Sequence, residues 1–368
     1  MNQSKSIDQI RVFAEPTTTE KGTKSYKNIV PRMQGCELGE IPPEHVRIKM
    51  RYVCVCGTDV HLLSMDERTG LIKTSAPCYI PETGRLIGHE GAGEVIGLGS
   101  SVHHLVKGDL VSLESLLSCG FCDVCRRGKP NQCRSASLMG LQFDGLFAEV
   151  VDVPAKLARA INDYISTDVD VKAGACLEPA GVAFLACENV RLSASDRVVI
   201  FGAGPIGAYC AMLAKCFFGV THVVTVEILP HRRKLAEGWS SKVFSPEEFL
   251  GERFKFDVLF ECSGNMESLS RAFHRIDPNG RVCVLARSGQ DLYLNAMDHM
   301  ITNNIAIIGS RGHLGGIYER MLPLIKSGQF PILDVVTREL NGLRELLDYL
   351  RDPKRILQEE CKVACRIS

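Results

Sequence analysis

VVIFGAGPIG, residues 198–207, is a β-branched run that breaks into three glycines with GxGxxG spacing. Alone the pattern is common. Here it follows a strand-like run and opens an apolar, helix-like segment, AYCAMLAKCFF (208–218), the context that gives it physical meaning. Gly202 permits a tight turn, Gly204 lets the backbone approach a pyrophosphate, and Gly207 lets helix and strand pack closely. Pro205 and Ile206 complete the candidate cofactor-binding turn. The helix N-terminus behind it would direct free N–H groups and the positive end of its dipole at a phosphate. Glu227 ends the next strand-like run, HVVTVE (222–227). A carboxylate there binds the ribose hydroxyls of the adenosine half and repels a 2′-phosphate, which favours NAD over NADP. Arg232 and Arg233 close by keep NADP open.

Strand and helix grammar continues outward from this turn. DVLFECSG (257–264) and GRVCVLA (280–286) read as strands with a helix around 267–275 between them. The alternation predicts an α/β fold with a doubly wound parallel sheet. The first 110 residues are β-rich instead. HVRIKMRYVCV (45–55) alternates, and GHEGAGEVIGLG (88–99) and KGDLVSLE (107–114) are short runs punctuated by glycine, which suits a small barrel with tight corners. The grammar changes near residue 178. The tail segments GGIYERMLPLIKSGQF (315–330) and LRELLDYLRDP (343–353) are helical by periodicity. Residues 64–85, SMDERTGLIKTSAPCYIPETGR, have no period and read as a long loop, a candidate lid, substrate clamp or oligomer contact.

Composition narrows the function. A chain of 368 residues suggests two domains. Lysine and arginine number 43, as do aspartate and glutamate, so the basic excess of a nucleic-acid binder is absent. No apolar run reaches the roughly 18–20 residues that span a bilayer. MNQSKSIDQIRVFAEP at the start has neither an apolar signal core nor a cleavage site. A cytoplasmic protein is expected, with no nucleic-acid or membrane partner. Most of its sixteen cysteines would then stay thiols. Cys54, Cys176, Cys187, Cys210, Cys216 and Cys283 sit in apolar company and read as core residues.

The remaining cysteines carry chemistry. VCVCGTDVH (53–61) and GHEGAGEV (88–95) each offer a zinc-ligand type, and LEPAGVA (177–183) precedes the nucleotide-binding half. SCGFCDVCRRGKPNQC (118–133) holds Cys119, Cys122, Cys125 and Cys133 in C-x2-C-x2-C-x7-C spacing. One zinc could gather all four thiolates into a closed, structural site. Spacing alone leaves an iron–sulfur cluster open, and a reducing compartment disfavours a disulfide pair.

Taken together, CGTDxH, GHE, the four-cysteine stretch, EP and GAGPIG, from about residue 40 to the C-terminus, resemble the zinc-containing medium-chain dehydrogenase/reductase superfamily, the alcohol and polyol dehydrogenases, including sorbitol- and threonine-dehydrogenase-like enzymes. The resemblance implies a GroES-like β-barrel catalytic domain over 1–179 with a structural zinc lobe at about 115–135. A Rossmann domain over 180–310 and a return to the catalytic domain over 311–368 complete it. It implies two zinc ions per subunit, one catalytic and one structural, with NAD as hydride acceptor. Cys56 and His89 match the fixed ligands of the catalytic zinc. Glu90 matches an acid behind the metal or a ligand. Glu178 stands where the alcohol dehydrogenases carry a second cysteine, and binds zinc directly or through water. Glutamate there resembles the polyol and sugar dehydrogenases. Thr58 matches the group that accepts the substrate proton, His61 the one that passes it to solvent, and Asp59 a residue that orients the site. Gly57 departs from the arginine often found there.

The expected reaction is hydride transfer from a secondary alcohol of a polyol, cyclitol, sugar or amino alcohol. Simple alcohol or L-threonine oxidation is the alternative, and a catalytically silent NAD-binding sensor or a zinc-lobe interaction module are readings of another class. IIGSRGHLGG (307–316) puts Arg311 and His313 forward as substrate contacts. NNIAIIGS (303–310) is an apolar strand suited to pairing across a two-fold axis, so a homodimer or homotetramer is expected.

Overall fold

The computed structural model describes residues 6–19, 22–74, 76–164 and 168–368. The chain forms two compact units, Met1–Glu178 with Val336–Ser368, and Pro179–Val335.

The first unit is built around the strand His45–Val55. Its alternate residues Val46, Ile48, Met50 and Tyr52 are buried, as the sequence alternation requires. This strand pairs antiparallel with Glu90–Leu98, with Val150–Pro154 and with the C-terminal strand Lys362–Arg366. A hairpin of Ile7–Thr18 and Lys24–Cys36 forms a second sheet with Arg85–Leu86. The loop 64–85 is fastened along this hairpin. Ile72 N donates to Tyr26 O at 3.0 Å, Ile80 N donates to Tyr26 Oη at 2.9 Å, and all three residues are buried. Ser75, inside that loop, lies outside the described residues. Leu116–Leu117 pairs with Ser137–Leu138 and closes off the four-cysteine stretch as a lobe of its own.

The second unit carries a six-stranded parallel sheet in the spatial order Lys242–Phe244, His222–Val226, Arg197–Phe201, Phe256–Glu261, Ile276–Val284, Ala306–Gly309. Numbered along the chain, that order is 3-2-1-4-5-6, the doubly wound order of dinucleotide-binding sheets. Val198, Val199 and Ile200, like Val258, Leu259 and Phe260, are almost wholly buried. A parallel strand covered by helices on both faces needs such continuous apolar runs.

One boundary is corrected. Residue 311 was expected to begin the return to the first domain, but the second unit continues to Val335. The helix Ile317–Lys326 packs there: Tyr318 and Met321 are buried, the Tyr318 ring lies 5.0 Å from that of His313, and Tyr209 Oη donates to Ile332 O at 3.1 Å. Helical periodicity shows an apolar face but does not say which core receives it. Both tail segments read as helical are helices, Ile317–Lys326 and Gly342–Leu350, and the strands Val336–Asn341 and Lys362–Arg366 flank the second of them.

Candidate functional site

The glycine turn has the geometry its sequence demands. Gly202 has φ +91°, and a Cβ there would come within 3.1 Å of the backbone of Cys262 and Ser263. A Cβ on Gly207 would stand 1.9 Å from Gly202 O, so the helix Pro205–Cys216 could not sit down on its strand. Gly204 is open on its Cβ side, where the nearest atom is Arg232 Nη1 at 3.7 Å. Glu227 is buried at the end of its strand and accepts from Ala203 N at 2.6 Å and Leu229 N at 2.9 Å. Arg233 donates to the carbonyls of Glu227 and Ile228 at 3.0 and 2.7 Å. Of the two arginines, Arg232 is therefore the one beside the open face of the turn.

In the first unit, Cys56, His89 and Glu90 come together, with one ligand atom from each within 4.8 Å of the others. Cys56 precedes the short helix Gly57–Leu63, and Asp59 of that helix accepts from Cys56 N at 2.9 Å. The other Asp59 oxygen faces His89 Nδ1 at 3.7 Å, too long for a hydrogen bond but close enough to orient the ring. His89 follows Gly88, whose φ of +89° and close packing under Phe147 set the direction of the chain. The donor set of thiolate, imidazole and carboxylate is one that zinc accepts. Glu90 Oε1 is buried with no hydrogen-bond partner among the described residues, which fits a metal centre. Burial alone would lower the His89 pKa, but the Cys56 thiolate and Asp59 outweigh it and raise it well above the ordinary value. Glu178 lies outside this cluster, at the start of the helix Leu177–Asn189, near enough that its charge acts on both His89 and Glu90. Ser115 Oγ donates to Glu178 Oε1 at 2.5 Å.

The four lobe cysteines also form one cluster. Cys133 Sγ lies 3.5 Å from Cys119 Sγ and 3.9 Å from Cys122 Sγ, far longer than the roughly 2.0 Å of a disulfide. Four sulfurs about 2.3 Å from one zinc would sit at about that mutual separation. Backbone N–H groups of Cys119 and Ser135 point at Cys133 Sγ, and that of Cys122 at Cys119 Sγ. The N–H groups of Arg134 and Cys125 draw the Cys122 thiol down to about 6. Burial pushes the Cys125 thiol the other way, up to about 12, so the stretch does not hold four thiolates by itself.

Residues 42–163 match the family model of the alcohol dehydrogenase GroES-like domain, and residues 205–327 match that of the zinc-binding dehydrogenases. An L-threonine 3-dehydrogenase of Alteromonas mediterranea is 32% identical over 299 residues, which cover 78% of this chain and 83% of that one. The chain belongs to the zinc-containing medium-chain dehydrogenase/reductase superfamily. It is a zinc-dependent alcohol oxidoreductase of the NAD(P)-linked kind. The L-threonine 3-dehydrogenase of Vibrio parahaemolyticus is 31% identical, over 85% of this chain and 90% of its own. The 2R,3R-butanediol dehydrogenase structure of Bacillus subtilis shares the fold, with a TM-score of 0.78 at 24% identity over 97% of this chain and all of that one. So does galactitol-1-phosphate dehydrogenase of Escherichia coli, with a TM-score of 0.79 at 22% identity over 98% and 99%.

The structure adds to this dehydrogenase a site residue that its motifs do not contain. Lys362 is 2% exposed, and its Nζ makes a close ion pair with Glu90 Oε2. Burial alone would lower its pKa, but Glu90, with the thiols of Cys54, Cys56 and Cys176 around it, keeps the ammonium charged. The pair leaves Glu90 Oε1 as the oxygen available to a metal. His313, by contrast, is buried against Tyr318, whose Oη lies 3.3 Å from His313 Nε2. Its surroundings are those of a packing residue. Arg311 is partly desolvated beside Arg287.

Lys362→Met leaves the Glu90 carboxylate buried without its cation, a loss of about 3–5 kcal/mol for a buried pair broken on one side. Zinc can replace the missing positive charge, so the stability loss should be larger in chelator-treated protein than in zinc-loaded protein. Denaturant unfolding of both forms checks this, with Lys362→Arg expected to stay close to wild type. An equal loss in both forms would separate Lys362 from the metal cluster.

Proposed function

We propose that this protein oxidises a secondary alcohol of the polyol, sugar or amino-alcohol type with NAD, and that Cys56, His89 and Glu90 hold the catalytic zinc with Glu178 as a fourth ligand or its near partner. The observation that carries this reading is the buried Cys56–His89–Glu90 cluster. When bound, zinc supplies the Lewis acidity that lowers the pKa of a substrate hydroxyl, and NAD accepts the hydride. Thr58 Oγ1, 3.6 Å from Cys56 Sγ, is the group that takes the hydroxyl proton. His61 follows at the i+3 position of the same helix, so the two side chains are neighbours on one face, and His61 passes the proton outward. Burial, and then the charge of Lys73, lower the His61 pKa below its ordinary value. The imidazole is therefore neutral and ready to accept at neutral pH. Asp59 fixes Cys56 and His89 from behind. The four lobe cysteines hold a structural zinc.

Glu227, at the ribose end of the turn, supports NAD, while Arg232 lies beside Gly204 on the phosphate side. Glutamate at position 178 supports a polyhydroxy substrate, and the threonine dehydrogenase relatives support an amino alcohol. With Cys56, His89 and Glu90 assembled, the silent-sensor reading has no support in the site. Among the described residues no helix is long and apolar enough to cross a membrane. None of the sixteen cysteines is joined in a disulfide, which supports a cytoplasmic setting. Ala306–Gly309 is an outermost strand of its sheet, and Tyr293, Met297 and Ile301 nearby in sequence are exposed, which supports a homodimer or homotetramer assembled on that edge.

NADH formation against pooled linear polyols, cyclitols, aldoses, L-threonine and other amino alcohols, and simple secondary alcohols tests the reaction. One pool should respond with NAD, and the signal should vanish with a zinc chelator. Activity that survives complete zinc removal would contradict the reading. The proton path predicts an acid limb of kcat/KM below the ordinary histidine value of about 6.5. Lys73→Met removes a charge that disfavours imidazolium, so it should raise the His61 pKa and move that limb to higher pH. A limb that stays in place would remove His61 from the path.

A further inference from the structure

Glu261 closes the strand Phe256–Glu261, the neighbour of the strand that ends in the glycine turn, with Phe201 and Glu261 paired across the two. It is fully buried. Three donors converge on its Oε1: Ser263 N at 2.9 Å, Ser263 Oγ at 2.5 Å and Gly264 N at 2.9 Å. Its Oε2 is buried with no partner among the described residues. A buried carboxylate oxygen left without a donor is costly, so the position calls for an explanation. The proton path, the metal clusters and the ribose-binding acid do not use it.

The other oxygen, Oε1, shows a role through the residues its three donors belong to. Residues 262–264 are the loop against which the glycine turn closes: a Cβ on Gly202 would stand 3.1 Å from Cys262 C and from Ser263 N and Cα. Cys262 N donates to Phe201 O, the last carbonyl before the turn, at 2.9 Å. On the opposite side, Glu227 holds Ala203 N at 2.6 Å. The turn therefore runs between two buried carboxylates, one at the end of each flanking strand. We propose that Glu261 is a positioning residue for the dinucleotide: it pins the 262–264 loop and so holds the Gly202–Gly204 backbone in the form that receives the pyrophosphate. This rests on the reading that the turn binds NAD.

The test is NADH binding by calorimetry or by the fluorescence of NADH itself, on zinc-loaded protein. Glu261→Ala removes the acceptor of all three bonds and should raise the NADH Kd about tenfold or more, as expected for lost hydrogen bonds to a charged group. Glu261→Gln keeps an oxygen for the same donors and should stay within about threefold of wild type. In turnover the KM for NAD should rise with the Kd, while kcat at saturating NAD and the KM for the alcohol change little. A merely structural role would lower the melting temperature and leave the Kd of the folded fraction unchanged. If Glu261→Ala does not fold, Ser263→Ala, which removes the shortest of the three bonds, carries the test: weaker NADH binding supports the proposal and wild-type binding overturns it. Glu261→Ala with wild-type NADH affinity overturns this inference alone. A wild-type protein that binds neither NADH nor NADPH overturns the functional reading with it.

Discussion

Cys54 is paired in the sheet with Glu90 on one side and with Ala364 on the other. That double register of one central strand assembles the metal cluster. It sets Cys56, two residues on, beside the turn that delivers His89 and Glu90. It also draws the C-terminal strand alongside, which brings Lys362 to Glu90 across 272 residues of chain. A slip of one residue would turn every side chain of that strand to the opposite face. The alternating buried residues Val46, Ile48, Met50 and Tyr52 are what forbid it, because their burial fixes which face of that part of the strand is the core.

Charge is the second constraint. Cys56, Asp59, Glu90 and Glu178 are acidic groups gathered in or beside the cluster, and Lys362 is the buried cation set against them. Protons offset part of that charge, since burial pushes Asp59 and Glu90 up and the His89 imidazole is raised as well, and a divalent cation could take the place of those protons. The lobe follows a related logic with different means. Backbone N–H groups point at the Cys119 and Cys133 sulfurs, so the peptide chain supplies there the donors that Lys362 supplies in the first cluster. The glycine turn uses the converse device. Glu227 holds the turn's backbone at Ala203 N, Glu261 holds the 263–264 loop on the other side, and Arg232 lies beside the open face of Gly204.

Much of this was legible in the sequence because the chemistry is local in the chain. The turn at 198–207, the four cysteines at 119–133, and the Cys56 and His89–Glu90 motifs each declare themselves within a few residues. The strand 45–55 is bounded in the structure as its alternation suggested. What was not legible depends on the partner across space. Lys362 is an unremarked lysine in CKVACRIS until a sheet register sets it against Glu90. Lys242–Phe244 is a three-residue strand, too short to carry a period. The helix at 317–326 was visible as a helix, but its allegiance to the second unit depends on Tyr318 meeting His313. For the same reason His313 looked available for substrate in sequence and is buried in the fold.

We propose that the two separate side-chain clusters in the first unit are zinc sites of different character, one open to substrate and one closed. Metal analysis of the purified protein, before and after timed exposure to a chelator with activity followed in parallel, tests it most directly. Zinc is expected at both clusters. The first ion lost should be the one held by Cys56, His89 and Glu90, and activity should fall in step with it while the four-cysteine zinc is retained. A protein that is active with no zinc, or whose activity falls only when the lobe zinc is lost, would contradict it.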